Sequence, residues 1–256
     1  MSGYLLRDDA PLSEAVWKQI DEMVATVVTK NLVGRRIVPL VGPLGWGVEV
    51  APLSGFAGPG EGYVADTVEY LKIEQLEAGF RLRLKHLAMA DQTPYGLDLG
   101  AVATAAAALA KLEDEKIIGG LVAQAAQAAL GDWSVPNGPF SAVSAAIAAM
   151  RGNGFDGPFA LVMSYDMYAK LASLVEHGQR EIKAVEKLAE AGIFASAVMP
   201  EEQALVLSPQ PWNMDMVVGQ DIATGFVGNE GMDLAFCILE TLVLRLKRPG
   251  AALLLS

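Results

Sequence analysis

Residues 98–130 read DLGAVATAAAALAKLEDEKIIGGLVAQAAQAAL, a run built almost wholly of strong helix formers. Asp98 stands where a side-chain oxygen can accept from a free N–H of the first turn. From there Val102, Ala105, Leu109, Leu112, Lys116, Gly119 and Ala123 mark one stripe at spacings of three and four. At 1.5 Å per residue a helix of that length extends roughly 45–50 Å, more than a small domain requires. The stretch therefore predicts a spine on which other elements pack, with Gly119-Gly120 as the place for a kink. Glu113, Asp114 and Glu115 are consecutive and so point in different directions, which suits a polar face turned to solvent or to another subunit better than an acid/base pair.

Upstream, Ser13-Glu14-Ala15-Val16 opens an amphipathic helix whose apolar positions are Trp17, Ile20, Val24, Val27 and Val28, running on to Asn31. Gly34 is placed to end it, and Arg35-Arg36-Ile37-Val38 reads as a short extended segment before Pro39. Residues 42–62, GPLGWGVEVAPLSGFAGPGEG, are too rich in Gly and Pro for a helix or a central strand and read as a projecting loop or hairpin. Residues 63–72 and 79–87 are strand-like, the second alternating Phe80, Leu82 and Leu84 with Arg81, Arg83 and Lys85.

Downstream of the spine, GDWSVPNGP (131–139) breaks the chain. A short helix is expected over 140–151, a buried strand over 159–163 (FALVM) and a helix over 166–175. Another helix follows over 180–191, then extended segments over 193–198 and 204–207. This middle region reads as its own α/β unit. The tail returns to strands over 214–218, 235–246 and 251–255, broken at Pro249-Gly250.

The chain has 256 residues, 52% apolar and 19% charged, with a net charge of −11. Hydropathy this high points to apolar surface buried between subunits. No stretch of about 20 uninterrupted apolar residues is present, so no membrane is expected. The first residues lack the basic-then-apolar order of a signal peptide, and the cytoplasm is the expected location. Lys and Arg are scattered, which disfavours nucleic acid as a partner. The only histidines are His86 and His177 and the only cysteine is Cys237, flanked by Phe236 and Ile238. No local metal cluster, HExxH pair, phosphate-binding GxxxxGK[ST] or nucleophile–base pair can be built from them, so neither a cofactor nor catalysis is expected.

Five segments resemble, in order, the encapsulin shell family, also called the linocin-type bacteriocin family: LLRDDAPLSEAVWKQID (5–21), LVGRRIVPLVGPLGWG (32–47), NGFDGPFALVMSYDMYAKL (153–171), VVGQDIATGF (217–226) and LETLVLRLKRPGAALLL (239–255). The resemblance implies an α+β subunit of the tailed-phage major capsid fold. Its parts would be an N-terminal helix and arm (1–41), an extended loop (42–75), a peripheral domain with the spine helix (76–130 and 212–256) and an axial domain (131–211). It implies a structural protein that assembles with itself into an icosahedral nanocompartment. The cargo enzyme would dock by a short terminal peptide; ferritin-like proteins and dye-decolourising peroxidases are the common cargos. By position, the cargo groove would involve Val28, Leu32, Arg35 and Ile37 on an apolar face without a partner in its own domain, and Pro39, where many relatives carry an acidic residue. Glu176, His177, Gly178, Gln179 and Arg180 would line a pore, with Gln179-Arg180 replacing a common Tyr-Pro. Lys85 and His86 stand where some relatives place a flavin-stacking Trp, so no flavin is expected. The alternatives are a phage capsid subunit enclosing nucleic acid and a protease or bacteriocin, for which the sequence offers no nucleophile–base pair.

Overall fold

In the computed structural model, residues 2–56, 65–176 and 178–256 are described. Two short 3-10 turns, Ser2–Leu5 and Arg7–Asp9, lead to helix α1 (Glu14–Asn31), whose N-terminus is capped by the Ser13 hydroxyl accepting from Val16 N. After a one-turn helix α2 (Gly34–Ile37) come a two-residue strand β1 (Leu40–Val41), the ribbon β2 (Val50–Phe56) and β3 (Ala65–Lys72), and strand β4 (Glu74–Arg83). Helix α3 (Leu84–Gln92) precedes the spine α4 (Gly100–Gln124) and strand β5 (Ala126–Ala128). The middle of the chain holds α5 (Gly138–Gly152), β6 (Ala160–Met163), α6 (Tyr165–Ser173), β7 (Val175–Glu176), β8 (Gln179–Arg180), α7 (Ile182–Glu186), β9 (Gly192–Ala195) and β10 (Ala204–Leu207). The tail is β11 (Met214–Val218), β12 (Ala223–Glu230), β13 (Asp233–Leu246) and β14 (Ala252–Leu255).

Two sheets organise these elements. The first runs β1-β11-β13-β12, with β4 also paired to the long β13; the second runs β5-β14-β10-β6-β9. Strands β5 and β14 thus complete the second sheet, although the expected boundaries put 126–130 and 252–256 with the peripheral part. The ribbon β2–β3 stands apart, joined to neither sheet by strand pairing.

Helix α1 packs along α4, and α4 lies against β4 and β13. Trp17 meets Phe236 edge-on with ring centres 5.5 Å apart, and Phe80 stacks on Phe236 at 5.0 Å, so aromatic contacts pin α1 to the sheet. The alternation expected over 79–87 holds for β4, where Phe80 and Leu82 are buried and Arg81 and Arg83 exposed, but the strand ends at Arg83 and residues 84–92 are helical.

The spine is shorter than expected. It starts at Gly100, whose N–H donates to Asp98 Oδ1 at 2.9 Å, ends at Gln124, and so spans roughly 37 Å. Residues 126–128 leave the helix because β14 offers them a parallel edge. The helix runs unbroken through Gly119-Gly120. A Cβ on Gly120 would sit 3.0 Å from Leu244 Cδ2, so that glycine marks close packing on β13 instead of a kink.

Other expectations shift for similar local reasons. Residues 35–37 are not extended, since 34–37 form the turn α2; Val38 alone is extended as expected. The helix expected over 180–191 shrinks to α7, and strand β12, which carried no alternation signal, fills the gap between β11 and β13. The strands expected over 204–207 and 214–218 appear with those bounds.

Candidate functional site

The corner where α1 turns into α2 is the region the resemblance singled out, and its geometry corrects one premise. Val28, Leu32 and Ile37 are buried in the main core, because α4 covers the face that had seemed to lack a partner. Gly34 lets the approach be close: a Cβ there would lie 3.0 Å from Ile117 Cγ2 on α4. Pro39 is half-buried, and its carbonyl accepts from Met216 N at 2.8 Å, which sets β1 beside β11. Beyond it, Leu40 and Val41 are exposed on the outer edge of the first sheet.

Arg35 is also engaged within the subunit. Its Nε donates to Glu113 Oε1 at 2.9 Å, its Nη1 to Asp221 Oδ1 at 2.7 Å and its Nη2 to Glu240 Oε2 at 2.7 Å. Glu113 on α4 and Glu240 on β13 are both 0% exposed. Next to them Asp114 accepts from Val33 N at 3.1 Å and Gly34 N at 2.8 Å, capping α2 from across the helix interface. The polar face expected of Glu113-Asp114-Glu115 is therefore inside for two residues and outside for one. Only Glu115 faces solvent, beside Lys111. The stripe explains why: its buried members are Val102, Ala105, Leu109, Glu113, Ile117 and Leu121, and from Leu109 onward the expected stripe had strayed to Leu112 and Lys116, which are exposed.

These surroundings shift the acids. Burial, and then the charge of Glu113, pushes the Glu240 carboxyl up to about 9. Glu113 is raised as well, by burial first and against the pull of Arg35. Asp114 is pushed up to about 6 by burial, its two backbone donors notwithstanding.

The second region singled out is the β7–β8 hairpin. Val175 pairs with Arg180 and Glu176 with Gln179 across a turn containing Gly178. Gly178, Gln179 and Arg180 are exposed; His177 and the side chain of Glu176 lie outside the described residues. The hairpin is anchored at its exit. Glu181 is buried, its N–H donates to Leu174 O, and its carboxylate accepts from Asn137 N and Phe140 N, both at 2.9 Å, at the start of α5. Composition and spacing did not flag Glu181, because its partners lie some forty positions away.

Cys237 is half-buried on the face of β13 opposite Phe236, and burial followed by the charge of Glu77 pushes its thiol up to about 11, so it is a neutral thiol at ordinary pH. Among the described residues no group of three or more His, Cys, Asp and Glu could hold a metal ion, and no helix is long and apolar enough to cross a membrane.

Comparison with known proteins places this arrangement. The family profile described as "Encapsulating protein for peroxidase" matches residues 1–243. The type 1 encapsulin shell protein EncA of Myxococcus xanthus is 33% identical over 98% of this chain and 96% of its own. A diheme-cytochrome-encapsulin shell fusion protein of Kuenenia stuttgartiensis is 30% identical over 92% of this chain and 71% of its own. Among solved structures, the virus-like particle from Pyrococcus furiosus superposes with a TM-score of 0.84 at 22% identity, covering 94% of this chain and 99% of that one. The mature capsid of bacteriophage PhiM1 superposes at 0.56 with 13% identity over 88% of this chain and 87% of its own, so the fold is that of tailed-phage major capsid proteins. With a profile match over almost its whole length and relatives that are structural shell proteins and not enzymes, the chain belongs to the encapsulin shell-protein family.

Proposed function

We propose that this shell subunit assembles into a closed icosahedral compartment that encloses a cargo enzyme and admits small molecules through pores. The supporting observation is the near-full-length agreement with shell proteins in sequence and with a particle-forming subunit in fold. In this reading the β2–β3 ribbon lies against a neighbouring copy. It shows Val50, Val68 and Tyr70 to solvent, and a two-stranded ribbon is marginal by itself in water. Glu176, His177, Gly178, Gln179 and Arg180 line a pore. A terminal peptide of the cargo docks beside the α1–α2 corner, where Val28, Leu32 and Ile37 shape the surface from beneath, Arg35 holds α2, Pro39 forms the rim and Leu40 and Val41 make contact. The profile's wording, which names a peroxidase, and the relative fused to a cytochrome support an enzyme as cargo, with peroxidases and ferritin-like oxidases as the first candidates. The net charge of −11 disfavours nucleic acid, and the compartment is expected in the cytoplasm.

Electron microscopy of the natively purified particle, with mass spectrometry of its contents, tests this. A hollow icosahedron holding a folded enzyme is the expected result. Nucleic acid inside would make it a capsid, and a small oligomer with hydrolytic activity would overturn the shell reading. The docking corner is tested by Leu40→Asp and Val41→Asp, which are expected to leave assembly intact and deplete cargo. Val28→Asp or Ile37→Asp would instead place a charge in the core.

A further inference from the structure

Around Arg35 three carboxylates converge on one guanidinium, and two of them, Glu113 and Glu240, have no exposure to water. Among the described residues the charged groups around this point are Arg35 and Arg36 from α2, Glu113 and Asp114 from α4, Asp221 from the turn before β12 and Glu240 from β13. Arg36 does not join the cluster directly, its Nε donating to Leu32 O at 2.8 Å. The strand neighbour of Glu240 on β4 is Leu76, which carries no charge. With all three acids ionised, Arg35 would leave two negative charges uncompensated, most of that excess on side chains out of reach of solvent. Glu240 Oε1 has no hydrogen-bond partner among the described residues, although it is buried. An acid O–H between Glu240 and Glu113 removes both problems at once: it cancels a charge and gives the stranded oxygen a bond.

We propose that Glu113 and Glu240 share one proton in the closed subunit, so that pH sets how firmly the corner carrying the β2–β3 ribbon is held to the spine and the first sheet. The position gives the pair that reach. Arg35 belongs to α2, and the chain runs from α2 through β1 to the β2–β3 ribbon. When the corner opens and water reaches the acids, their affinity for the proton returns to the ordinary carboxylate range and the proton passes to solvent. The closed state then binds one more proton than the open state at any pH between that range and the raised value of the pair. Opening accordingly becomes easier as pH rises, by up to about tenfold per unit, and levels off once the closed pair also loses its proton. Asp114 adds the same sign of effect only below about 6, so the interval from 6.5 to 8.5 reports on the pair.

Hydrogen exchange of the assembled full-length protein, followed by mass spectrometry and corrected for the intrinsic pH dependence of exchange, tests the proposal. In the wild type the opening of segment 33–41 should rise by up to about tenfold per unit between pH 6.5 and 8.5, while residues 160–163 in β6 show no such slope. Glu240→Gln, whose amide can donate to Glu113 without titrating, should flatten the slope; Glu113→Gln should do the same and serves if the first variant does not fold. Infrared spectra of the wild type should show a protonated-carboxyl carbonyl band at pH 7 that fades through about 9. A pH-independent opening in the wild type, a slope unchanged in the Gln variants, or the absence of that band would each overturn the shared proton.

Discussion

Two charged junctions fasten the β2–β3 ribbon and the corner before it to the body, and they are built from opposite ratios of charge. At the α1–α2 corner one guanidinium, Arg35, serves the carboxylates of Glu113, Asp221 and Glu240. At the foot of β2 one buried carboxylate, Asp215, is shared by two cations: Arg245 grips it with Nε and Nη2, both at 2.7 Å, and Lys247 Nζ lies 2.6 Å away. Arg245 also donates from Nη1 to Pro52 O at 2.7 Å, which ties β2 to β13. The second junction can lose a partner and keep its acid paired. The first cannot, because among the described residues Arg35 is the one cation that Glu113, Asp221 and Glu240 share.

Removing the central arginine from each junction tests that difference most strongly. Arg35→Ala leaves two fully buried acids without a cation, and breaking a buried pair from one side costs about 3–5 kcal/mol. Arg245→Ala leaves Asp215 with Lys247 and loses charge-assisted hydrogen bonds worth about 1.5–3 kcal/mol. Denaturant midpoints of the purified proteins measure both. Equal losses would mean that Lys247 does not compensate and that the two junctions are alike.

The acid-rich junction should also respond to pH. Asp114, beside the acid-rich junction, has a native value raised from 3.8 to about 6. A group that holds its proton more tightly when folded stabilises most below its unfolded value, and that contribution is lost as pH rises through the folded one. Between about pH 4 and 6 the subunit should therefore lose up to about 1.4 kcal/mol per unit from this group. Asp114→Asn keeps an acceptor for Val33 N and Gly34 N but cannot titrate, so its midpoint should vary less over that interval. An unaltered slope would assign the effect to another acid.

How much of this was legible beforehand follows from how local each signal is. The capped helix at Ser13, the strands 204–207 and 214–218 and the alternation of Phe80 and Leu82 depend on neighbours in the chain, and all appear as expected. The end of the spine depended on β14, more than a hundred residues later, and was misplaced. The corner was singled out for an apolar face, but those residues are core, and two of the three acids read as a solvated or inter-subunit face are buried there. The i+4 spacing from Leu109 puts Glu113 on the buried stripe of α4, where it pairs with Arg35. That pairing spans 78 positions, which no window along the sequence contains.

The finest form of the comparison lies within the spine itself, between two glutamates separated by one residue. Glu115 lies on the outer side of α4, where its carboxylate is 3.6 Å from Lys111 Nζ and both side chains are largely wet. An exposed i,i+4 pair contributes about 0.3–0.5 kcal/mol, so Glu115→Ala should shift the denaturant midpoint by no more than that, with less effect still at high salt. Two residues advance the helix by a little over half a turn, enough to carry Glu113 to the side packed on β13. Glu113→Ala therefore removes a dry acid from Arg35 and leaves a void in the core, and it should exceed its neighbour's effect severalfold. Similar small shifts for both would mean that water reaches Glu113, and the charge imbalance at the corner would then have an ordinary solvent for its remedy.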